Sequence, residues 1–145
     1  MDELDSLAKI VIVEDDVSLA DIYKTRLELL GYNCSVAIDG IEALALIEKE
    51  RPSLVLLDIM MPKISGDLLL GVMRLTDWGK NIKVLIISNL NESDAPAGLR
   101  TKNIEGYVVK ANIAGDQIDQ LVGNIVPPPA LPAGDSAKTA APTLE

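Results

Sequence analysis

The sequence predicts a doubly wound α/β domain, with helices on both faces of a five-stranded parallel sheet of order 2-1-3-4-5. Five short apolar runs alternate with segments of helical spacing, the pattern that builds successive right-handed strand-helix-strand units. The third run, Leu-Val-Leu-Leu at 54–57, is apolar without alternation, as expected of a strand covered on both faces by helices. Polar residues stand where the runs stop: Glu14 and Asp15 after 10–13, Asp58 after 54–57, Ser88 after 84–87 and Lys110 after 107–109. Ligands of such sheets bind outside the carboxyl ends of the strands, so three carboxylates, a hydroxyl and an ammonium are expected to meet in one pocket.

The first strand is read at 9–13, followed by Asp16 as a helix cap and by Leu19, Ile22, Tyr23, Leu27 and Leu30 on one helical face, with Gly31 ending the helix. A second strand at 32–37 leads to Asp39 and, three residues on, Glu42, the spacing of a capping box. Ile41, Leu44 and Ile47 then follow at helical spacing, and Arg51 and Pro52 close that helix. The third strand spans 53–57. After a loop holding Pro62 and Gly66, Leu69, Val72 and Met73 stripe a third helix, and 82–87 supplies the fourth strand. Residues 91–101 read as a weaker fourth helix, because Pro96 and Gly98 lower helix propensity; Pro96 is tolerable in a first turn if the helix starts near Asp94. A fifth strand at 106–109 precedes a fifth helix marked by Ile118, Leu121, Val122 and Ile125.

The chain has 145 residues, 48% of them hydrophobic, with only four aromatics (Tyr23, Tyr32, Trp78 and Tyr107), so one domain with an aliphatic core is expected. It divides into an N-terminal extension at 1–8, the domain at 9–126 and a solvated tail at 127–145 that holds five of the eight prolines. A net charge of -9 leaves no basic stripe for a phosphate backbone and speaks against direct nucleic-acid binding. The acidic start is no secretory signal and no run approaches a membrane span, so a cytoplasmic location is expected. The lone Cys34, inside a strand, is read as core packing.

Three carboxylates within a few ångströms repel one another and call for a cation or raised pKa values. The candidate ligands are all oxygens, and the chain has no histidine, so a hard ion such as Mg²⁺ fits and Zn²⁺ does not. Each residue has a plain alternative: an acidic turn with one cap at Glu14, Asp15 and Asp16, a strand-end turn at Asp58, a loop cap at Ser88 and a solvated surface lysine at Lys110. Jointly those alternatives are improbable. If Asp58 carried a phosphoryl group, Mg²⁺ could neutralise one oxygen, the Lys110 ammonium a second and the Ser88 hydroxyl a third.

In the order and spacing of these residues, with Ser88 thirty positions after Asp58 and Lys110 twenty-two after Ser88, the chain from about 9 to 126 resembles the response-regulator receiver domains of two-component signalling. Met61, Pro62, Gly66 and the aromatic Tyr107 match that family as well. The resemblance implies a stand-alone, flavodoxin-like (βα)5 domain similar to the chemotaxis regulator. It implies that Asp58 is the phosphoacceptor and that Mg²⁺ is held by Asp15, Asp58 and the backbone carbonyl of Met60, with Glu14 acting through water. It further implies that Ser88 and Tyr107 switch a face formed by the fourth helix, fifth strand and fifth helix.

The implied partners are a histidine kinase or histidine phosphotransfer protein, a downstream protein target, and a second copy of the chain after phosphorylation. No external substrate turnover is implied. Two departures, Ala111 where the family usually has a cis proline and Asn89 where it usually has a small residue, bear on rates rather than on the acceptor's identity. They motivate one alternative, a receiver-like binding module that works without phosphorylation. A second, a small aspartyl-phosphate phosphatase or phosphotransferase of the haloacid-dehalogenase type, expects an acid two residues after the nucleophile, where this chain has Met60.

Overall fold

The computed structural model describes residues 8–113 and 115–129. Five parallel strands, β1 (Lys9–Val13), β2 (Asn33–Ala37), β3 (Leu54–Leu57), β4 (Lys83–Ser88) and β5 (Gly106–Val109), form one sheet in the order β2-β1-β3-β4-β5. Side chains of a strand alternate between faces, and here both faces are buried. Val11, Val13, Val55, Leu57, Val84 and Ile86 join one apolar cluster, while Ile10, Ile12, Leu54, Leu56, Leu85 and Ile87 join the other. The register that aligns Val13 with Leu57 and Leu57 with Ile86 brings the strand ends level, so residues just beyond them meet at one edge of the sheet.

Helices α1 (Val17–Leu29) and α4 (Gly115–Ile125) cover the second cluster, and the Arg26 guanidinium on Asp119, at 2.8 Å, ties them together. Helices α2 (Gly40–Glu50) and α3 (Gly66–Arg74) cover the first. The expected caps are made: Asp16 accepts from the Leu19 N–H at 3.1 Å, Asp39 accepts from that of Glu42 at 2.8 Å, and the Glu42 carboxylate accepts in return from Ile38 at 2.7 Å. Cys34 is buried in the core as expected. Ile22, Ile41 and Val72, although at helical spacing with core residues, are exposed.

The expected fourth helix at 91–101 is corrected: the connection from β4 to β5 forms two short 3-10 turns, Glu92–Asp94 and Leu99–Lys102. Pro96 drives the preceding Ala95 out of the helical region, to ψ 159°, and Gly98 adopts a left-handed φ of 87°. An α-helix cannot pass through either residue. What holds this link is polar. Arg100 pairs with Glu92, and the Arg74 guanidinium of α3 donates to the carbonyls of Gly79, Ile82, Lys102 and Asn103. A further 3-10 turn at Lys110–Asn112 follows β5, and no cis peptide occurs among the described residues, so the Lys110-Ala111 bond is trans. The N-terminal extension at 1–7 and the tail from 130 onward lie outside the described residues.

Candidate functional site

The chain leaves β1 as Glu14, whose backbone N–H donates to Ala37 at 3.0 Å, and leaves β3 as Asp58, whose N–H donates to Val13 at 3.1 Å. These bonds extend the ladder by one residue and bury both carboxylates, with Glu14 3% and Asp58 5% exposed. Asp58 is held on both oxygens: Oδ1 accepts from the Met60 N–H at 3.1 Å and Oδ2 from Lys110 Nζ at 2.9 Å. Lys110 Nζ also reaches Glu14 Oε1 at 2.5 Å, and the other Glu14 oxygen accepts from the Asp16 N–H at 3.1 Å. Asp15 is the exposed member of the group.

Carboxylate oxygens of Glu14, Asp15 and Asp58 lie within 4.8 Å of one another. Against three negative charges the structure sets the single ammonium of Lys110. Burial pushes the Glu14 carboxyl above its ordinary pKa despite the Lys110 hydrogen bond, which is how a carboxylate short of countercharge responds. Burial also opposes the Lys110 ammonium, yet its bonds to Glu14 and Asp58 outweigh that and hold its pKa above the ordinary lysine value. An all-oxygen set with surplus negative charge fits a hard divalent cation.

The loop after Asp58 is closed tightly. Gly66 donates to the Ile59 carbonyl at 2.7 Å, and a Cβ at position 66 would stand 2.2 Å from the Asp58 carbonyl oxygen. Only glycine lets α3 begin so close to the acidic residue. Ser88, fully buried at the end of β4, accepts from the Leu90 N–H at 3.3 Å, while Tyr107 donates its hydroxyl to the Leu90 carbonyl at 2.8 Å. One peptide unit on each side of Leu90 therefore links Ser88 to Tyr107. Burial raises the Tyr107 pKa, with the Ser88 hydroxyl acting in the opposite sense.

A cleft of about 690 Å³ opens over these groups, lined by Glu14, Asp15, Asp58, Met60, Asn89 and Lys110. The strand-end reading thus brings both carboxylates of the first turn, Asp58 and Lys110 together. Ser88 and Tyr107 stand behind the cleft rather than in its lining. The other wall is apolar, from Leu19, Ile22, Tyr23, Ile113 and Ile118. Strand-end reasoning missed it because these residues come from helix α1, the start of α4 and the turn between β5 and α4. The signal was present in Leu19 and Tyr23, one helical turn apart and following closely on the acidic turn.

A parallel sheet of order 2-1-3-4-5 with an acidic cluster and a lysine at its carboxyl edge defines a doubly wound α/β domain with a polar site at that edge, and comparison with known proteins specifies the family. The model of the response regulator receiver domain matches residues 10–122, and the chain belongs to that family. A probable transcriptional regulator, ycf27, of Galdieria sulphuraria is 40% identical over 111 residues, covering 76% of this chain and 42% of the relative. The DNA-binding dual master transcriptional regulator RpaA of a Synechocystis strain is 33% identical over 86 residues, 59% of this chain and 36% of the relative. The chain spans about two fifths of the length of the curated ycf27 relatives it matches.

Among solved structures, the response regulator TrrA of Thermotoga maritima in complex with Mg²⁺-BeF is 28% identical, with a TM-score of 0.71 over 83% of this chain and 100% of that one. The chemotaxis response regulator CheY4 of Vibrio cholerae, 22% identical, shares the fold with a TM-score of 0.75 over 83% of this chain and 99% of that one.

Proposed function

We propose that Asp58 accepts a phosphoryl group from a phosphohistidine of a kinase or histidine phosphotransfer protein. The observation that carries this reading is the Asp58 carboxylate, buried at the end of β3 inside a carboxylate cluster and gripped by Lys110 at 2.9 Å. In the transfer, an Asp58 oxygen forms a bond to phosphorus as the phosphorus–nitrogen bond breaks, and the imidazole leaves with the electron pair. Lys110 follows the charge onto a phosphoryl oxygen, and the buried Glu14 keeps the ammonium at the carboxylate edge between turnovers. Asp15, Asp58 and the Met60 carbonyl would hold Mg²⁺, with Glu14 reached through water, and the ion would supply charge neutralisation for the phosphoryl oxygens.

The new charge draws the Ser88 hydroxyl forward, which releases the Leu90 peptide and with it the bond to Tyr107. The output is a change in the face made by the β4–β5 link, β5 and α4, read by a protein target or by a second copy of the chain. A net charge of -9 over the 145 residues opposes DNA contact by this stretch of chain itself. The location is proposed to be cytoplasmic, where the kinases act; no helix among the described residues is long and apolar enough to cross a membrane. Asp58→Asn is the test: with a cognate donor, the wild type takes up label that the variant does not, and labelling of Asp58→Asn at the wild-type level would overturn the assignment.

A further inference from the structure

Tyr23 lies on the core face of α1, in the cluster with Leu27, Ile118 and Val122, and is 7% exposed. It also lines the cleft beside Glu14, Asp58 and Lys110. Buried tyrosines usually place the O–H on a partner; the buried Tyr32 does so on the Val126 carbonyl, as does the half-buried Tyr107 on that of Leu90. The Tyr23 hydroxyl has no hydrogen-bond partner among the described residues. The ring packs in the core while the residue also borders the cleft, so a bond to a group inside the cleft is open to the hydroxyl.

The same cleft holds a second unspent group. The Lys110 ammonium has three N–H donors, of which Glu14 and Asp58 take two. Burial raises the Tyr23 pKa, so the phenol keeps its proton, and the nearby charges that act on it are led by Lys110, then Glu14 and Asp58. Phosphorylation of Asp58 would insert bulk and charge between that carboxylate and Lys110. The ammonium must then follow the phosphoryl oxygens outward, into the cleft whose wall Tyr23 forms.

We propose that Tyr23 is a positioning residue for Lys110: as Asp58 takes the phosphoryl group, the Tyr23 oxygen accepts the third N–H of the ammonium and holds it against the phosphoryl oxygens. This rests on the reading of Asp58 as the acceptor. Glu14 already takes one of the other donors, and Ser88 lies outside the cleft lining.

The test compares the wild type with Tyr23→Phe, which removes the hydroxyl and keeps the ring, and with Tyr23→Leu, which removes both. Two quantities are read: the rate of Asp58 phosphorylation by a small acyl phosphate, and the hydrogen exchange of the Lys110 ammonium by ¹⁵N NMR with Mg²⁺ and beryllofluoride bound. Tyr23→Phe is expected to slow phosphorylation about tenfold, the worth of one hydrogen bond to a charged group, and to speed ammonium exchange without lowering the thermal midpoint. Tyr23→Leu is expected to slow phosphorylation as much while lowering the midpoint. Wild-type rate and exchange in Tyr23→Phe overturn the proposal, as does slowing confined to Tyr23→Leu, which assigns the effect to the ring. A wild type that takes no phosphoryl group overturns the acceptor reading itself, a result separable from either.

Discussion

Replacing Lys110 by Met removes the only cation, among the described residues, within bonding distance of two buried carboxylates. The Nζ atom lies 2.5 Å from Glu14 and 2.9 Å from Asp58, and the side chains are 11%, 3% and 6% exposed. Solvent therefore screens these pairs little, and removal of one partner from a buried pair costs about 3 to 5 kcal/mol. At the lower bound, about 3 kcal/mol, the thermal midpoint of a domain this size falls on the order of 10 °C. Urea unfolding at pH 7 without divalent cations measures the loss, and a deficit below about 1 kcal/mol would refute the electrostatic account of the site.

The pH dependence provides the sign. Burial already raises the folded-state pKa of Glu14 above 4.5 despite Lys110, and losing the ammonium raises it further. A carboxyl with a raised folded pKa favours the fold at pH below its unfolded value, and that contribution is lost as pH rises through the folded value. The deficit of Lys110→Met is thus expected to shrink as pH falls from 7 toward 4.5; a constant deficit assigns the loss to packing. Mg²⁺ is expected to recover part of it, because an ion bound only by the folded state stabilises that state.

Gly66→Ala forces a methyl to within 2.2 Å of the Asp58 carbonyl oxygen; it is expected to cost about 1 to 3 kcal/mol in urea unfolding and to lower the rate of Asp58 labelling, and an unperturbed variant would remove the steric role given to that glycine. Arg74→Met strips donors from the carbonyls of Gly79, Ile82, Lys102 and Asn103. Amide exchange is expected to accelerate at 99–106 and 79–82, with an overall loss of about 3 kcal/mol; acceleration at one segment alone contradicts the shared anchor. Cys34, its thiol pushed up to about 12 by burial, is expected to react with iodoacetamide at pH 8 only on unfolding, so rapid labelling of the folded chain would contradict its burial.

The strand ends were readable because a polar residue after an unbroken aliphatic run has few structural uses, and the parallel register then fixes which ends meet. Asp16, Asp39 and Glu42 were readable for a similar local reason, since a cap is a bond between residues three or four apart. The β4–β5 link was not, because Pro96 can be read as sitting in a helix's first turn, whereas the backbone at Ala95 and Gly98 has already left the helical region. Tertiary anchoring by Arg74, twenty-eight residues before Lys102 in sequence, made that irregular path stable. Ile22 and Val72 show the converse: apolar periodicity gives a helix its face but not how much of that face the neighbouring layer reaches. Tyr23 was legible as core and illegible as cleft wall, because its second surroundings come from β5 and α4.

Helix α3 joins two of these findings. Its first residue, Gly66, rests against the backbone of Asp58, and its last, Arg74, grips the link that leads into β5. The nine residues of the helix span about 13 Å at 1.5 Å per residue. The loop after Asp58 and the β4–β5 link are therefore the two ends of one stiff strut, and any displacement of the Asp58 backbone has a mechanical path to that link independent of the hydroxyls of Ser88 and Tyr107.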